Sequence, residues 1–456
     1  MLVVASDIHL SDHTTGVVIS EKSFSLFTRR LRELAYQASW RSGGRYEPLR
    51  EIDFLLLGDI LDPLQSTRWL EKEPGQDGYV RPWHDPQSAV FIAKVREITR
   101  AILEKNPHAI SVLKKISQGE GIYLPPANRR GKPDQYTLQR VTPKVRIFYM
   151  VGNHDWFYHL PGPEYDAIRA EIIQAIGLSN PPGPFPHGPE DAAGELGESL
   201  ARYRLVARHG DQYDSMSYNP ELGRTAATLG DIYSSEVIYR FPFEVARRLG
   251  DELPDRLVQG IQCMANVRPL IATPLWLFEQ VRRHGSNPAQ VSQVKRIWDQ
   301  VVGDFLDLDI LRNRQFANPN SRNILKLVFG ISKKIPLETL ATLSRLSRNY
   351  IPNEHVSLAR YASQEIAIRS GKADFVAFGH THSHEVVPLG EASKNADEGP
   401  LYINTGSWAT FLDYSRKPST PTDGKTMPVN LLTCLALYHN GERQGRRFEN
   451  WWANFA

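Results

Sequence analysis

The chain has 456 residues, enough for one large α/β domain with insertions or for two separate domains. Its 54 lysines and arginines against 51 aspartates and glutamates leave a net charge of +3, too weakly basic to argue nucleic-acid binding by itself. Two cysteines, Cys263 and Cys434, exclude a disulfide framework, and no stretch approaches the roughly twenty apolar residues of a membrane span.

Met1-Leu2-Val3-Val4-Ala5 is the first of five short apolar runs that end in a polar motif, here Asp7-Ile8-His9. Such runs, bounded by glycine and polar residues, predict strands buried on both faces. Because the first run begins at Leu2, there is no room for a secretory leader, and a cytoplasmic protein is expected. Glu21 to Trp40 predicts an amphipathic helix through Phe24, Phe27, Leu31, Leu34 and Ala35, packed back on the sheet as a right-handed crossover requires. Phe54-Leu55-Leu56-Leu57 then ends in Gly58-Asp59-Ile60-Leu61-Asp62.

An insertion follows at about 63–144. Asp85-Pro86 reads as a helix start, Val90, Ile92, Val95, Ile98 and Ile102 as the apolar face of the helix, and Pro125 to Lys144 as a polar loop. The third strand, Ile147 to Val151, ends in Gly152-Asn153-His154-Asp155, and the Pro- and Gly-rich stretch from Asn180 to Gly197 reads as a flexible connection. Leu205-Val206-Ala207 leads into His209-Gly210-Asp211.

From about Asp214 to Gly371 the pattern is mostly helical, with apolar spacing in Leu275-Trp276-Phe278-Val281, Ile297-Val301-Phe305-Leu308 and Leu337-Leu340-Leu343-Leu346. It is too long for an idle connection and is expected to form a helical cap. Its Arg312, Arg314, Arg322, Lys326, Lys333, Lys334, Arg345 and Arg348 are either solvated helix faces or a basic surface for an anionic amphiphile, a membrane or nucleic acid. The fifth strand, Phe375-Val376-Ala377-Phe378, ends in Gly379-His380-Thr381-His382.

In open α/β sheets functional residues lie at the carboxyl ends of the strands, so the five motifs are expected to meet on one rim. A lone Asp-x-His or Gly-Asp says little, since turns after strands favour Gly and Asp for backbone reasons. Together the motifs offer carboxylates, imidazoles and one amide oxygen, ligands suited to manganese, iron or zinc, and no thiolates. Two ions fit better than one, because Asp7, Asp59, Asn153, His9, His209, His380 and His382 exceed the needs of a single ion.

The order Asp-x-His, Gly-Asp-x-x-Asp, Gly-Asn-His-Asp, His-Gly-Asp, Gly-His-x-His resembles the calcineurin-like metallophosphoesterases over the span Asp7 to His382. The resemblance implies an α/β chain: a metallophosphoesterase-type β-sandwich flanked by helices, with a large α-helical cap inserted before the last histidine pair. The catalytic core would be 1–213 and 372–456, and the cap 214–371. Carried over by position, it makes Asp7, His9 and His382 ligands of a first metal, Asn153, His209 and His380 ligands of a second, and Asp59 the bridge. His154 would face the scissile phosphate, oriented by Asp62. The implied cofactors are two divalent metal ions, manganese first, with iron or zinc as alternatives.

Pro63-Leu64 and Asp155 stand where the protein Ser/Thr phosphatases carry Arg-Gly and Glu. His209-Gly210-Asp211-Gln212-Tyr213-Asp214 and Asn404-Thr405-Gly406-Ser407-Trp408 look instead like the bacterial UDP-diacylglucosamine hydrolases, which insert a shorter helical lid at the same place. The expected function is therefore a dinuclear-metal hydrolase of phosphoester, phosphodiester or pyrophosphate bonds, using a metal-bridging hydroxide on a small or lipid-linked nucleotide. A DNA or RNA nuclease of the same superfamily is the alternative, and a non-enzymatic scaffold with this fold a third reading, which the full set of ligands argues against. Besides a phosphorylated substrate, nucleic acid and peripheral membrane contact stay open as partners, and the sequence does not fix the oligomeric state.

Overall fold

The computed structural model describes all residues except 17–18, 269, 286, 313–322, 324–325, 327–328, 331, 333–356, 391–398, 414–427, 430, 440 and 455–456. Strands β1 (Leu2–Ala5), β2 (Glu51–Leu57) and β3 (Lys144–Met150) are parallel neighbours, paired Leu2↔Asp53 and Glu51↔Lys144. Every residue of β1 is buried, and all but the first of β2 and β3, as expected of strands covered on both faces. Next in chain order come β4 (Leu205–Ala207), β5 (Val267–Arg268), β6 (Phe375–Phe378), β7 (Glu385–Pro388) and β8 (Leu401–Asn404). The last four are β9 (Phe411–Asp413), β10 (Pro428–Val429), β11 (Leu431–Leu437) and β12 (Phe448–Asn454). One sheet has the order β12-β11-β1-β2-β3, a second β4-β6-β8-β7, and a small third β10-β9-β5.

Side-chain alternation along the strands stacks the two larger sheets. Leu2, Val4, Leu55, Leu57, Phe148 and Met150 pack on Leu205, Ala207, Phe375, Ala377 and Ile403. The alternate residues Val3, Ala5, Phe54, Leu56, Ile147 and Tyr149 face helices α1 (Glu21–Ala38), α2 (Ala89–Lys105), α3 (Pro107–Ser117) and α4 (Pro163–Ile176). On the far face of the second sheet, Val206, Val376, Phe378 and Tyr402 are covered by the short helices Ala359–Ala362 and Ile366–Arg369. The chain is thus a mixed α/β protein layered helix, sheet, sheet, helix. Each fully buried Leu or Phe in these layers contributes about 1.5–3 kcal/mol of transfer free energy.

Two local expectations are corrected. Helix α2 starts at Ala89 with Ser88 as its cap, whose Oγ accepts from Phe91 N at 3.3 Å, while Asp85 only closes the preceding turn by accepting from Gln87 N. The buried face is accordingly Phe91, Val95, Ile98 and Ile102, and Val90 is 44% exposed. The stretch from Asn180 to Gly197 is exposed at Pro181, Pro182, Glu190 and Asp191, yet it is anchored to β3 rather than a free connection. Asn180 bonds the backbone N and O of Tyr149, Pro186 O accepts from Val151 N, and helix α5 (Gly194–Arg202) begins within it. Backbone groups beside a buried strand need partners, and this stretch supplies them.

The described part of 214–371 is mostly helical: α6 (Leu229–Tyr233), a buried π-helical turn Ser234–Tyr239, α7 (Arg240–Leu249), α8 (Asp255–Gln262), α9 (Thr273–His284) and α10 (Pro288–Asp307). Leu275, Trp276, Phe278 and Val281 are buried on α9, and Ile297, Val301 and Phe305 on α10. Ile232, Val237, Phe241 and Trp298 belong to the same apolar cluster as Trp69, Phe91 and Trp156, and a buried Arg81–Glu236 ion pair at 3.1 Å crosses the junction. Arg314, Arg322, Lys333, Lys334, Arg345 and Arg348 of the basic cluster, and the Leu337 to Leu346 spacing, lie outside the described residues. Among the described residues no helix is long and apolar enough to cross a membrane.

Candidate metal centre

Each motif begins where a buried strand stops. Asp7 and His9 follow β1, Asp59 and Asp62 follow β2, Asn153 and His154 follow β3, His209 follows β4, and His380 and His382 follow β6. The loops are tied to one another by backbone bonds: Asp7 N to Gly58 O, His9 N to Asp59 O, Gly58 N to Met150 O, and Gly379 N to His209 O. Five of the seven candidate ligands, Asp7, His9, Asp59, His380 and His382, adopt left-handed backbone conformations with φ between 51° and 69°. Such conformations cost a non-glycine residue on the order of 1–3 kcal/mol each and persist where the surroundings over-determine them. Among the described residues only nine non-glycines have positive φ, so this strain is concentrated at the motifs.

Two motif glycines are required for the same approach. Gly58 has φ +79°, and a Cβ there would collide with the His209 ring; a Cβ on Gly152 would collide with Asp59 Oδ1 and the same ring. Asp155, the last residue of its motif, is fully buried and accepts from Ile60 N at 3.0 Å, Tyr149 Oη at 2.6 Å and Gly152 N at 2.6 Å. It fastens the loop after β3 to the loop after β2.

The side chains meet. Asp7 Oδ1 lies 3.5 Å from His382 Nε2, 4.0 Å from His9 Nε2 and 3.9 Å from His209 Nε2. Asp59 Oδ2 lies 3.1 Å from His209 Nε2 and 3.8 Å from His9 Nε2. His9 Nε2 and His382 Nε2 are 3.1 Å apart, and Asn153 Oδ1 is 2.9 Å from His380 Nδ1. Both Asp7 and Asp59 therefore stand between His9 and His209, residues expected in different ligand sets.

Three of the four histidines have their other ring nitrogen held from outside. Asp62 Oδ2 is 2.8 Å from His9 Nδ1, Leu57 O is 3.1 Å from His209 Nδ1, and Asp214 Oδ2 is 3.1 Å from His380 Nε2. An acceptor on one nitrogen puts the proton there and leaves the lone pair of the other facing inward, the arrangement of a metal-binding imidazole. Asp62 Oδ2 also lies 2.9 Å from His154 Nδ1, and Asp59 Oδ1 accepts from the His154 backbone N–H at 2.8 Å.

The donor set fits divalent cations. His209 Nε2 is buried and lies 3.1 Å from Asp59 Oδ2 and 3.9 Å from Asp7 Oδ1, so a proton or a cation must lie between the ring and these carboxylates. Burial raises the Asp7 carboxyl above its usual range. For Asp59 burial acts in the same direction, but His209, His154 and His9 outweigh it and hold this carboxyl well below that range. Burial would likewise raise Asp62, yet His154 and His9 bring it down to about 2. Burial alone would lower His154 and His209, but Asp62 and Asp59 lift His154 to about 9, and Asp59 and Asp7 lift His209 to about 9. His382 is driven well below the imidazole range by burial, then by Arg268 and His9. The Asp59 and Asp62 carboxylates thus favour positive charge beside them, here on His154 and His209.

All nine residues singled out for the site, Asp62 and His154 included, come together at this rim. Asp214 had no assigned role, although it closes the His209 to Asp214 motif. Asp211 of the same motif is turned away into a buried ion pair with Arg224 and a 3.3 Å contact with His187 Nε2. Trp156 is a core residue, fully buried and stacked on Phe157. No protein-family model matches the chain, and no curated protein matches it.

Proposed function

We propose that the chain is a two-metal phosphoesterase of the calcineurin-like metallophosphoesterase superfamily, acting on phosphodiester or pyrophosphate bonds of a small or lipid-linked nucleotide. The observation that supports this most is the meeting of Asp7, His9, Asp59, His209 and His382 within 4.0 Å links, with the Asn153–His380 pair alongside. Asp7, His9 and His382 would hold one cation, Asn153, His209 and His380 the other, with Asp59 shared. Bound there, two divalent cations would supply Lewis-acid charge to the phosphoryl oxygens and bring the pKa of a water into the neutral range.

The chain's own residues do the rest. Asp62 holds His154 by Nδ1, so its Nε2 is the edge left for substrate. The Asp62 carboxylate on Nδ1 would favour the imidazolium, which carries a proton on Nε2. As the oxygen of a water bonds to phosphorus and the ester P–O bond breaks, that proton passes to the leaving oxygen. The water's own proton goes to solvent, from which His154 is then reprotonated.

Elemental analysis after manganese loading, with assays on bis-nitrophenyl phosphate, a nucleotide-sugar pyrophosphate and single-stranded DNA, tests the proposal. Two equivalents of metal and turnover of the diester or pyrophosphate are expected. Turnover of DNA alone would move the assignment to a nuclease, and full metal content with no turnover of any substrate would make the chain a scaffold.

A further inference from the structure

The loop that carries His209 runs into the 214–371 stretch through one short turn. Asp211–Tyr213 is a 3-10 turn, with Tyr213 N donating to Gly210 O at 3.1 Å and Asp214 N donating to Asp211 O at 2.9 Å. His209 stands just before this turn and Asp214 just after it. Asp214 Oδ2 in turn lies 3.1 Å from His380 Nε2. The two histidines expected to hold the second metal are therefore tied to opposite ends of the same turn. His9, expected to hold the first, is fixed instead by Asp62 from the loop after β2.

Both ends of the turn are gripped by Arg224, a residue of the inserted stretch that is only 4% exposed. At one end its Nη2 forms an ion pair with Oδ2 of the fully buried Asp211, whose Oδ1 lies 3.3 Å from His187 Nε2. At the other end Arg224 Nη1 donates to Ser217 O at 3.2 Å and the guanidinium lies over the Tyr218 ring, 5.0 Å from its centroid. Ser217 N and Tyr218 N donate back to Asp214 O at 3.0 and 2.9 Å. The Tyr218 ring stacks on His187, so the Asp211 partners also brace each other. A buried ion pair adds little net stability, because desolvation offsets the attraction. What a guanidinium with fixed partners does supply is a fixed position for the carboxylate it holds.

We propose that Arg224 is a positioning residue for the second metal position: through Asp211 it sets the turn that presents His209 and, by way of Asp214, His380. The inference rests on the two-metal reading above. The inserted stretch thus helps to complete the centre, although all the candidate ligands come from the strand ends.

The test is calorimetric titration of manganese into the full metal-free chain, for the wild type, Arg224→Ala and Arg224→Lys, with paramagnetic resonance to tell a lone manganese ion from a coupled pair. Arg224→Ala should weaken one of the two ions about tenfold to a hundredfold, the range for losing the outer support of a ligand, and leave the other near its wild-type affinity. The spectrum of a lone ion should then persist to higher manganese concentrations than in the wild type. Arg224→Lys should lose less at the same position, because it keeps the charge but not the paired donors. A merely structural role would weaken both ions alike; that result, or wild-type affinity for both ions in a folded Arg224→Ala, overturns the proposal. If Arg224→Ala does not fold, unchanged affinity for both ions in Arg224→Lys overturns it. The two readings fail separately: two ions held equally by the wild type and the variants, with turnover intact, remove only the Arg224 assignment. Selective loss of one ion in the variants, with no turnover of any substrate by the loaded wild type, removes the phosphoesterase reading and leaves Arg224 its role. A wild type that never holds a pair of ions overturns both.

Discussion

His9 and His154 share one carboxylate oxygen: Asp62 Oδ2 lies 2.8 Å from Nδ1 of the first and 2.9 Å from Nδ1 of the second. One is a candidate metal ligand and the other the candidate proton donor, with ring centroids 4.9 Å apart. Asp62→Ala should therefore lower metal affinity about tenfold to a hundredfold, as loss of a ligand's outer hydrogen bond does. It should also lower turnover. His154→Ala should keep both metals and lose roughly a hundredfold or more in kcat. Metal titration alongside steady-state kinetics separates the two variants, and unaltered metal affinity in Asp62→Ala would remove its role in holding His9.

Asp59→Asn should reduce metal content at both positions. Asparagine tolerates the left-handed backbone that Asp59 adopts at φ 55°, so the variant should fold and report on charge alone. An amide can neither balance two cations nor span them as a carboxylate does. Two full equivalents of metal in the purified variant would contradict the bridging assignment.

Asp155→Ala should destabilise the fold by about 3 kcal/mol or more, because three buried donors lose their common acceptor. Those donors are Ile60 N–H, Tyr149 O–H and Gly152 N–H. Urea unfolding of the metal-free protein measures this directly, without contributions from bound ions. A change below about 1 kcal/mol would mean the two loops are fastened elsewhere.

Thr228 caps α6, and buried Asp231 within its first turn completes the capping box by accepting from Thr228 N at 2.8 Å, with burial raising its carboxyl to about 6. A carboxyl that holds its proton more tightly when folded contributes stability that is greatest below its unfolded pKa and is lost as pH rises through the folded value. Asp231→Asn should keep an acceptor for Thr228 and lack that loss. Relative to the wild type, the variant should gain on the order of 2–3 kcal/mol between about pH 4 and pH 7, read from urea midpoints at each pH. Parallel pH profiles for the two proteins would place the Asp231 carboxyl at its ordinary value.

The five strand-and-motif units, the seven candidate ligands and the helical spacing on α1, α9 and α10 were legible in the sequence. Strand burial, helix amphipathicity and ligand chemistry are written in residues adjacent along the chain or one turn apart. Where the local signal was divided, as between Asp85 and Ser88 for the start of α2, packing decided it by turning Phe91 rather than Val90 inward. Asn180 to Gly197 misled for a related reason. Glycine and proline mark a turn, but only the backbone groups of Tyr149 and Val151 show that the turn is held. Which nitrogen of His9, His209 and His380 faces the centre was set by Asp62, Leu57 O and Asp214, partners far away in sequence. Composition and periodicity carry no record of such long-range pairings, because they arise only when distant segments are brought to the same rim.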